Sequence, residues 1–464
     1  MFFRQFHEPA LGHASYLVGD ESTGTALLLD PRRDVATYFA TARAEGLQIT
    51  YAIDSHGHND YLSGLMEIAA RSDATVLGFA EADLGYDHRP VKDREVVEFG
   101  DLAIEVLHTP GHTPEHVSLL VYDRSVGDEP ALLLSGGALL VGDLARPDLL
   151  GSPEQARQSA EAFTQTLRTT ILTLPDFVEV FPTHVAGSLC GGNIGSRLST
   201  TLGYERQTQE ALRRLSAGDG EPDTVVRLDN LPAVPPYWRR MRAQNLAGAP
   251  LLPVPTEPPA LQPQAFADAM EAGAVVLDTR QPEAFGGGHI PGALNVGLGN
   301  SFPTWAGTVL DDDVRVLLVL DGPGQLGQAT WHLLRIGYEP PAGWLAGGMF
   351  AWRTSALPLT RMEQISAFEL AAATAAGDVT VLDVRQPAEW AEGHIPGATF
   401  VTGAELPERL SEVPAGPVAV VCGSGFRSSV AASLLQAQGR TDVSSVLGGM
   451  SAWAAAGLPV TTDA

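Results

Sequence analysis

A near-duplicated pattern in the second half of the chain limits its architecture more than any other feature. Val276-Leu277-Asp278-Thr279-Arg280-Gln281-Pro282 returns as Val381-Leu382-Asp383-Val384-Arg385-Gln386-Pro387, and Gly288-His289-Ile290-Pro291-Gly292-Ala293 as Gly393-His394-Ile395-Pro396-Gly397-Ala398. Further on, Gly347-Gly348-Met349-Phe350-Ala351-Trp352 returns as Gly448-Gly449-Met450-Ser451-Ala452-Trp453. Asp278 to Asp383 is 105 residues and Gly347 to Gly448 is 101, so the first copy carries four extra residues between these marks. In each copy short apolar strands alternate with helices, which predicts a parallel sheet covered on both faces. A chain of 464 residues suits about three domains, one ahead of the repeat and two within it.

Ahead of the repeat the chain turns rich in proline, with Pro235-Pro236, then Pro250, Pro253, Pro255, Pro258 and Pro259, the mark of an extended, semi-rigid connector. Its first part, Pro236-Tyr237-Trp238-Arg239-Arg240-Met241, is too aromatic for a free linker and is expected to pack back on the first domain. The expected division is residues 1–245, a linker at 246–261, and two copies at 262–360 and 361–464.

Charge and cysteine content narrow the function classes. The net charge of -26, from 55 acidic against 29 basic residues, repels nucleic acid and anionic lipid, so neither is expected as a partner. An anionic substrate needs a locally basic pocket. No apolar run reaches the ~18 residues of a membrane span, and the start Met-Phe-Phe-Arg-Gln-Phe-His-Glu lacks a signal pattern. Cys190 and Cys422 are too few for a disulfide framework and suit a reducing compartment, so a cytoplasmic protein is expected.

Metal-type ligands recur at strand ends in the first 245 residues. The apolar run Ile49–Ile53 reads as a buried strand, and Tyr61–Arg71 has helical spacing, which puts Asp54-Ser55-His56-Gly57-His58-Asn59-Asp60 on a strand-to-helix turn. Two imidazoles and a carboxylate in one loop suit zinc or iron. Predicted strands at Leu102–His108, Ala138–Gly142 and Phe177–Phe181 lead into loops carrying His112, Asp143 and His184.

The motifs His-x-His-x-Asp, Pro-Gly-His-Thr, Gly-Asp and Pro-Thr-His, in that order, resemble the metallo-β-lactamase superfamily, which implies an αββα sandwich with metal at one edge. In its two-metal members a further His follows the Asp of the first motif; Tyr61 stands there, so one metal is expected. Asp30-Pro31-Arg32-Arg33-Asp34, Gly142-Asp143-Leu144-Ala145-Arg146-Pro147 and His184-Val185-Ala186-Gly187-Ser188-Leu189-Cys190-Gly191 are similar to the persulfide dioxygenases, including bacterial ones fused to rhodanese modules. That resemblance implies one Fe(II) per chain on His56, His112 and Asp143. Such a facial triad leaves positions for O₂ and a substrate sulfur. His58, Asp60, Tyr61 and His184 then surround the metal or face substrate. Cys190 either lines the channel or is a small buried hydrophobe, and Arg146, Arg197 and Arg206 are cations that could hold an anionic thiol carrier. A zinc thioester hydrolase of the glyoxalase II kind is the competing enzyme reading.

The repeat resembles the rhodanese family, which implies two α/β domains with parallel sheets. In the second copy the strand Val418–Val421 runs into Cys422-Gly423-Ser424-Gly425-Phe426-Arg427 and then a helix expected over Ser429–Gln438. Backbone N–H groups and a positive helix end stabilise a thiolate or persulfide at Cys422, with Arg427 orienting sulfite or thiosulfate. The four residues between Cys422 and Arg427 fit sulfur chemistry, whereas the related cell-cycle phosphatases have a loop one residue longer. Aligning Leu333-Leu334 with Leu434-Leu435 sets Asp321 against Cys422 and Leu326 against Arg427, so the first copy is expected to be catalytically silent. His289 and His394 recur in both copies and read as structural. The expected whole is a bifunctional sulfur enzyme: oxidation of glutathione persulfide, or another low-molecular-weight thiol persulfide, to sulfite with O₂, and sulfane-sulfur transfer that makes or uses thiosulfate. A sulfur-sensing protein with a structural metal is the rival from a different class, and assembly as a homo-oligomer is left open.

Overall fold

The computed structural model describes residues 1–218, 231–254 and 256–463, so Pro255 of the expected linker lies outside them. Contacts divide the chain into two units, Met1–Leu231 with Trp238–Leu252, and Pro232–Tyr237 with Pro253–Ala464.

The first unit is an αββα sandwich. One six-stranded sheet runs Phe2–Glu8, His13–Asp20, Thr25–Leu29, Gln48–Ile53, Thr75–Phe79, Arg89–Val91, antiparallel at first and parallel from Thr25–Leu29 onward. The other runs Thr200–Thr201, Glu179–Pro182, Pro130–Gly136, Val117–Asp123, Leu102–His108, Val96–Phe99. Alternation along each strand builds the layers. Tyr16, Val18, Leu27 and Leu29 pack inward against Ile104, Val106, Leu119 and Val121 of the second sheet. Their neighbours Leu17, Ala26 and Leu28 face outward onto Tyr38, Ala42, Leu65 and Ile68 of the helices Ala36–Ala44 and Leu65–Arg71. On the far side Leu107, Leu120 and Leu133 meet Phe163 and Leu167 of the helix Pro153–Thr169. Because the strands end together, the loops at 54–64, 109–116, 182–184 and 188–193 converge on one edge.

Three local expectations are corrected. The helix after the first metal loop begins at Leu65, not Tyr61, because Ser63 and Gly64 are held in a turn. The strand expected over Ala138–Gly142 is reduced to a hairpin of Leu139–Leu140 with Asp143–Leu144. Trp238–Ala247 forms a helix within the first unit, whereas Pro236 and Tyr237 belong to the second, where Gly307 lies against the Tyr237 ring.

The second unit contains two five-stranded parallel sheets of the same order: Ala260–Leu261, Gly343–Leu345, Val316–Val319, Val275–Asp278, Leu294–Asn295, and Glu363–Ile365, Val443–Val446, Val418–Val421, Thr380–Asp383, Thr399–Phe400. The repeated Asp and Arg form the same buried ion pair in each copy, Arg280–Asp278 and Arg385–Asp383. His289 stacks on Phe285 and His394 on Trp390, and each Nδ1 is bonded to the carbonyl four residues back.

Sheet register corrects the alignment of the two loops. Asp278 pairs with Val319, and Asp383 with Val421. The residue opposite Cys422 is therefore Leu320, which is buried, and Asp321 matches Gly423. The first copy has five residues between Leu320 and Leu326, where the second has four between Cys422 and Arg427. The extra residue sits inside the loop, so counting back from the helix leucines slips by one. Among the described residues no helix is long and apolar enough to cross a membrane.

Candidate metal centre and cysteine loop

The strand Gln48–Ile53 delivers His56, His58 and Asp60 into the interior, all three buried. His56, His112 and His184 each bring a ring nitrogen within 4.8 Å of the others. His56 Nε2 and His184 Nε2 are 3.4 Å apart, so both rings face the same small space. Buried His112 Nε2 has no hydrogen-bond partner among the described residues, the condition of a ligand atom turned toward an ion.

The tautomers follow from the other ring nitrogens. Ser55 Oγ donates to Asp30 Oδ2 at 2.9 Å, so it accepts from His56 Nδ1 at 2.8 Å. His112 Nδ1 donates to Arg146 O at 3.1 Å. Both imidazoles thus carry their proton on Nδ1 and turn an Nε2 lone pair inward, the arrangement typical of metal-binding histidines. Burial, then neighbouring histidines, hold His56 well below its usual range; burial and His184 lower His112 to about 3. Both are neutral, as ligands must be. For His184 burial opposes protonation, but the Cys190 sulfur and the Asp60 carboxylate raise it well above the usual value. These residues fit a transition-metal ion.

Asp143 lies outside the three-histidine cluster. It stands half-buried on the short hairpin, where its Oδ2 accepts from Asn193 N at 2.6 Å and its Oδ1 from Leu144 N at 2.8 Å. His58 is likewise directed elsewhere, with Nε2 3.0 Å from Asp30 Oδ1. Asp30 is the hub of the site; its sequence motif marks it, but without a role. Besides His58 it accepts from Ser55 N at 2.6 Å, Ser55 Oγ and Thr183 Oγ1, tying the 54–58 loop to the 182–184 loop. Burial opposes its charge, yet His58 and these donors hold it below the ordinary carboxylate range. The Tyr61 hydroxyl donates to Asp30 O at 3.3 Å, and its ring lies beside His13 and His58. His58, Asp60 and His184 form a second close group, next to the first.

The helix Trp238–Ala247 fastens the metal loop from outside. Asn245 Nδ2 donates to His58 O at 2.9 Å and Tyr61 O at 2.8 Å, and its Oδ1 accepts from Ser63 N at 2.9 Å. Arg242 pairs with Glu115 at 2.6 Å, and Glu115 accepts from Gly57 N. A cavity of about 670 Å³ opens beside this helix, lined by Phe79, Glu81, Asp83, Glu115, Arg242 and Leu246.

The cations proposed to hold a carrier are already engaged. Arg146 is buried and forked onto Asp148; Arg206 bonds Leu172 O, Leu174 O and Asp176; Arg197 lies 4.4 Å over the Tyr204 ring. Cys190 is buried beside His184, and its carbonyl accepts from Arg146 N.

In the second unit, Cys422 is fully buried at the end of Val418–Val421, and the Gly425 N–H points at its Sγ at 3.1 Å. Gly425 adopts φ +105°, which glycine tolerates. A Cβ on Gly449 would lie 2.1 Å from Cys422 O, so the repeated Gly-Gly-Met is needed for the backbone to close on the loop. The helix begins at Phe426, three residues earlier than expected, directly behind the loop. Arg427 is forked onto Glu389 at 2.6 and 2.7 Å, a partner 38 residues away that the sequence reading missed. Burial opposes its charge, but Glu389 and Cys422 raise its pKa.

Comparisons with known proteins agree with this layout. The metallo-beta-lactamase superfamily model matches residues 9–184, and the rhodanese-like domain model matches residues 262–355 and 366–456. The human mitochondrial persulfide dioxygenase ETHE1 is 30% identical over 190 residues, 40% of this chain and 68% of that one. A hydroxyacylglutathione hydrolase from a Polaromonas species is 33% identical over 174 residues, 37% of this chain and 61% of that one. A metallo-beta-lactamase structure from Staphylococcus aureus aligns with TM-score 0.65 at 32% identity, covering 74% of this chain and 98% of that one.

Proposed function

The chain belongs to the metallo-beta-lactamase superfamily, with persulfide dioxygenases among its homologues, and continues into two rhodanese-like domains; on that premise we propose that it is a two-site sulfur enzyme. The first site oxidises a low-molecular-weight thiol persulfide with O₂: R–S–SH + O₂ + H₂O gives R–SH + SO₃²⁻ + 2 H⁺. The second moves sulfane sulfur through Cys422: its thiolate and S₂O₃²⁻ exchange to a Cys422 persulfide and SO₃²⁻, in either direction. The proposed domains are 1–245, 262–360 (silent) and 361–464 (active), joined by 246–261, in a cytoplasmic protein whose two cysteines are both free.

The observation that carries the first half is the convergence of histidine Nε2 lone pairs with their protons parked on Nδ1. The proposed ion is one Fe(II) on His56 and His112, with Asp143 third and His184, at the third corner of the imidazole triangle, facing substrate. When bound, Fe(II) supplies the electron exchange with O₂ that redox-inert Zn²⁺ lacks. Ser55 and Asp30 hold the His56 tautomer, and Arg146 O holds that of His112. His184, its Nδ1 3.5 Å from Asp60 Oδ2 and its Nε2 turned toward the proposed ion, is placed to meet the anionic sulfur of a persulfide. At the second site the Gly425 N–H faces the sulfur that bears the charge, and Glu389 keeps Arg427 over the loop.

A zinc thioester hydrolase is the second reading, favoured by the hydroxyacylglutathione hydrolase relatives and by the adjoining His58–Asp60–His184 group. Metal analysis paired with O₂ uptake on glutathione persulfide separates the two. Asp143→Ala and His184→Ala, compared side by side, identify the third ligand by loss of metal.

A further inference from the structure

The two copies of the second unit meet at a buried polar clamp. Asn295 ends the edge strand Leu294–Asn295 of the first copy, and its side chain is wholly engaged. Its Oδ1 accepts from Ser429 Oγ at 2.6 Å, and its Nδ2 donates to Asp278 O at 3.0 Å and Arg280 O at 2.9 Å. Its backbone N–H donates to Ser433 Oγ at 2.8 Å. Ser429 and Ser433 are fully buried and one turn apart on the helix Phe426–Ala437, the element that opens directly from the Cys422 loop. At the matching position of the second copy, opposite Asp383, stands Phe400, so the amide is peculiar to the copy that faces this helix. Phe426 is seated on the same copy: a Cβ on Gly297 would meet its ring at 3.3 Å.

The first copy lacks a nucleophile, yet it grips the helix whose N-terminal end addresses Cys422 Sγ. A dipole stabilises charge best when its direction is fixed beforehand, and an amide bonded on every side in a dry interface permits one register where apolar packing tolerates several. We propose that Asn295 is a positioning residue for the Cys422 loop: through Ser429 and Ser433 it fixes the helix Phe426–Ala437, and with it the Gly425 amide, against Cys422 Sγ. This rests on the reading of Cys422 as the sulfur carrier.

The test uses Asn295→Ala and Ser429→Ala in the full chain, with two readouts. One is the pH dependence of Cys422 alkylation by iodoacetamide, followed on the Cys422 peptide so that Cys190 does not contribute. The other is steady-state sulfur transfer from thiosulfate to a thiol. The alkylation midpoint is expected to rise by roughly half a pH unit, the scale of a weakened helix-end interaction. The transfer kcat is expected to fall roughly tenfold or more, with little change in KM. A folded Asn295→Ala protein whose midpoint and kcat match the parent overturns the proposal. If Asn295→Ala fails to fold, Ser429→Ala, which deletes one bond and leaves Asn295 in place, carries the same expectation and the same refutation. A parent chain with no Cys422-dependent transfer overturns the carrier reading instead, and the alkylation profile then judges the clamp alone.

Discussion

Removing the Asn245 side chain should loosen the metal centre from a residue that touches no metal. Asn245→Ala deletes two donors, to His58 O and Tyr61 O, and one acceptor, for Ser63 N. Asn245 is buried, so all three backbone groups lose their partner in a dry setting. Each orphaned group costs about 1–3 kcal/mol, and partial relaxation of the loop brings the expected sum to about 3–5 kcal/mol. Part of that cost falls on stability and part on metal affinity, because the loop between His56 and Ser63 is what the amide fastens. Loss of an outer support of this kind lowers metal affinity roughly 10–100-fold. The assay is a chelator competition for the bound metal beside a thermal melt of the apo protein. Asn245→Asp sharpens it: a carboxylate can still accept from Ser63 N but cannot donate to the two carbonyls, so it should be no better than alanine. Metal affinity within twofold of the parent, in a variant that melts several degrees lower, would show that the helix supports the fold without aiming the ligands.

Two further outcomes are expected. Cys422→Ser should abolish thiosulfate:thiol transfer, since an alcohol protonated at neutral pH holds no sulfane sulfur, while O₂ uptake on preformed persulfide persists; joint loss of both activities with iron retained would refute two independent sites. His289, lowered to about 4 by burial, should make stability pH-dependent. Its folded value lies below the unfolded one, so the unfolded chain takes the proton first as pH falls. The contribution is whole above about 6.5 and is lost between there and about 4, on the order of 3 kcal/mol; His289→Gln should flatten that part of a denaturant-midpoint profile, and an unchanged slope would contradict the assignment.

What the sequence revealed and what it hid divide along contact range. The repeat was legible because Gly-His-Ile-Pro-Gly-Ala and Gly-Gly-Met close local turns that the fold needs in both copies. The metal loops were legible because His56, His112 and His184 each stand at a strand end. Their supports were not: Thr183 reaches Asp30 from 153 residues away and Asn245 reaches Tyr61 from 184, pairings that no periodicity records. Asp143 is legible by its motif, but the contact of its carboxylate with the Asn193 backbone, 50 residues on, is not. Glu389 beside Arg427 and Asn295 beneath Ser429 were hidden for the same reason. Leu320 in the place of Cys422 was missed because a one-residue loop insertion is invisible when copies are aligned by their helices and plain when aligned by strand register.

The most direct measurement is the metal content of the purified protein, taken with its O₂ consumption on glutathione persulfide before and after His112→Ala. The account predicts about one iron per chain, O₂ uptake that yields sulfite, and loss of both metal and uptake in the variant, since one of three protein ligands is gone. Two metals per chain, or zinc with strong thioesterase activity and no O₂ uptake, would contradict it.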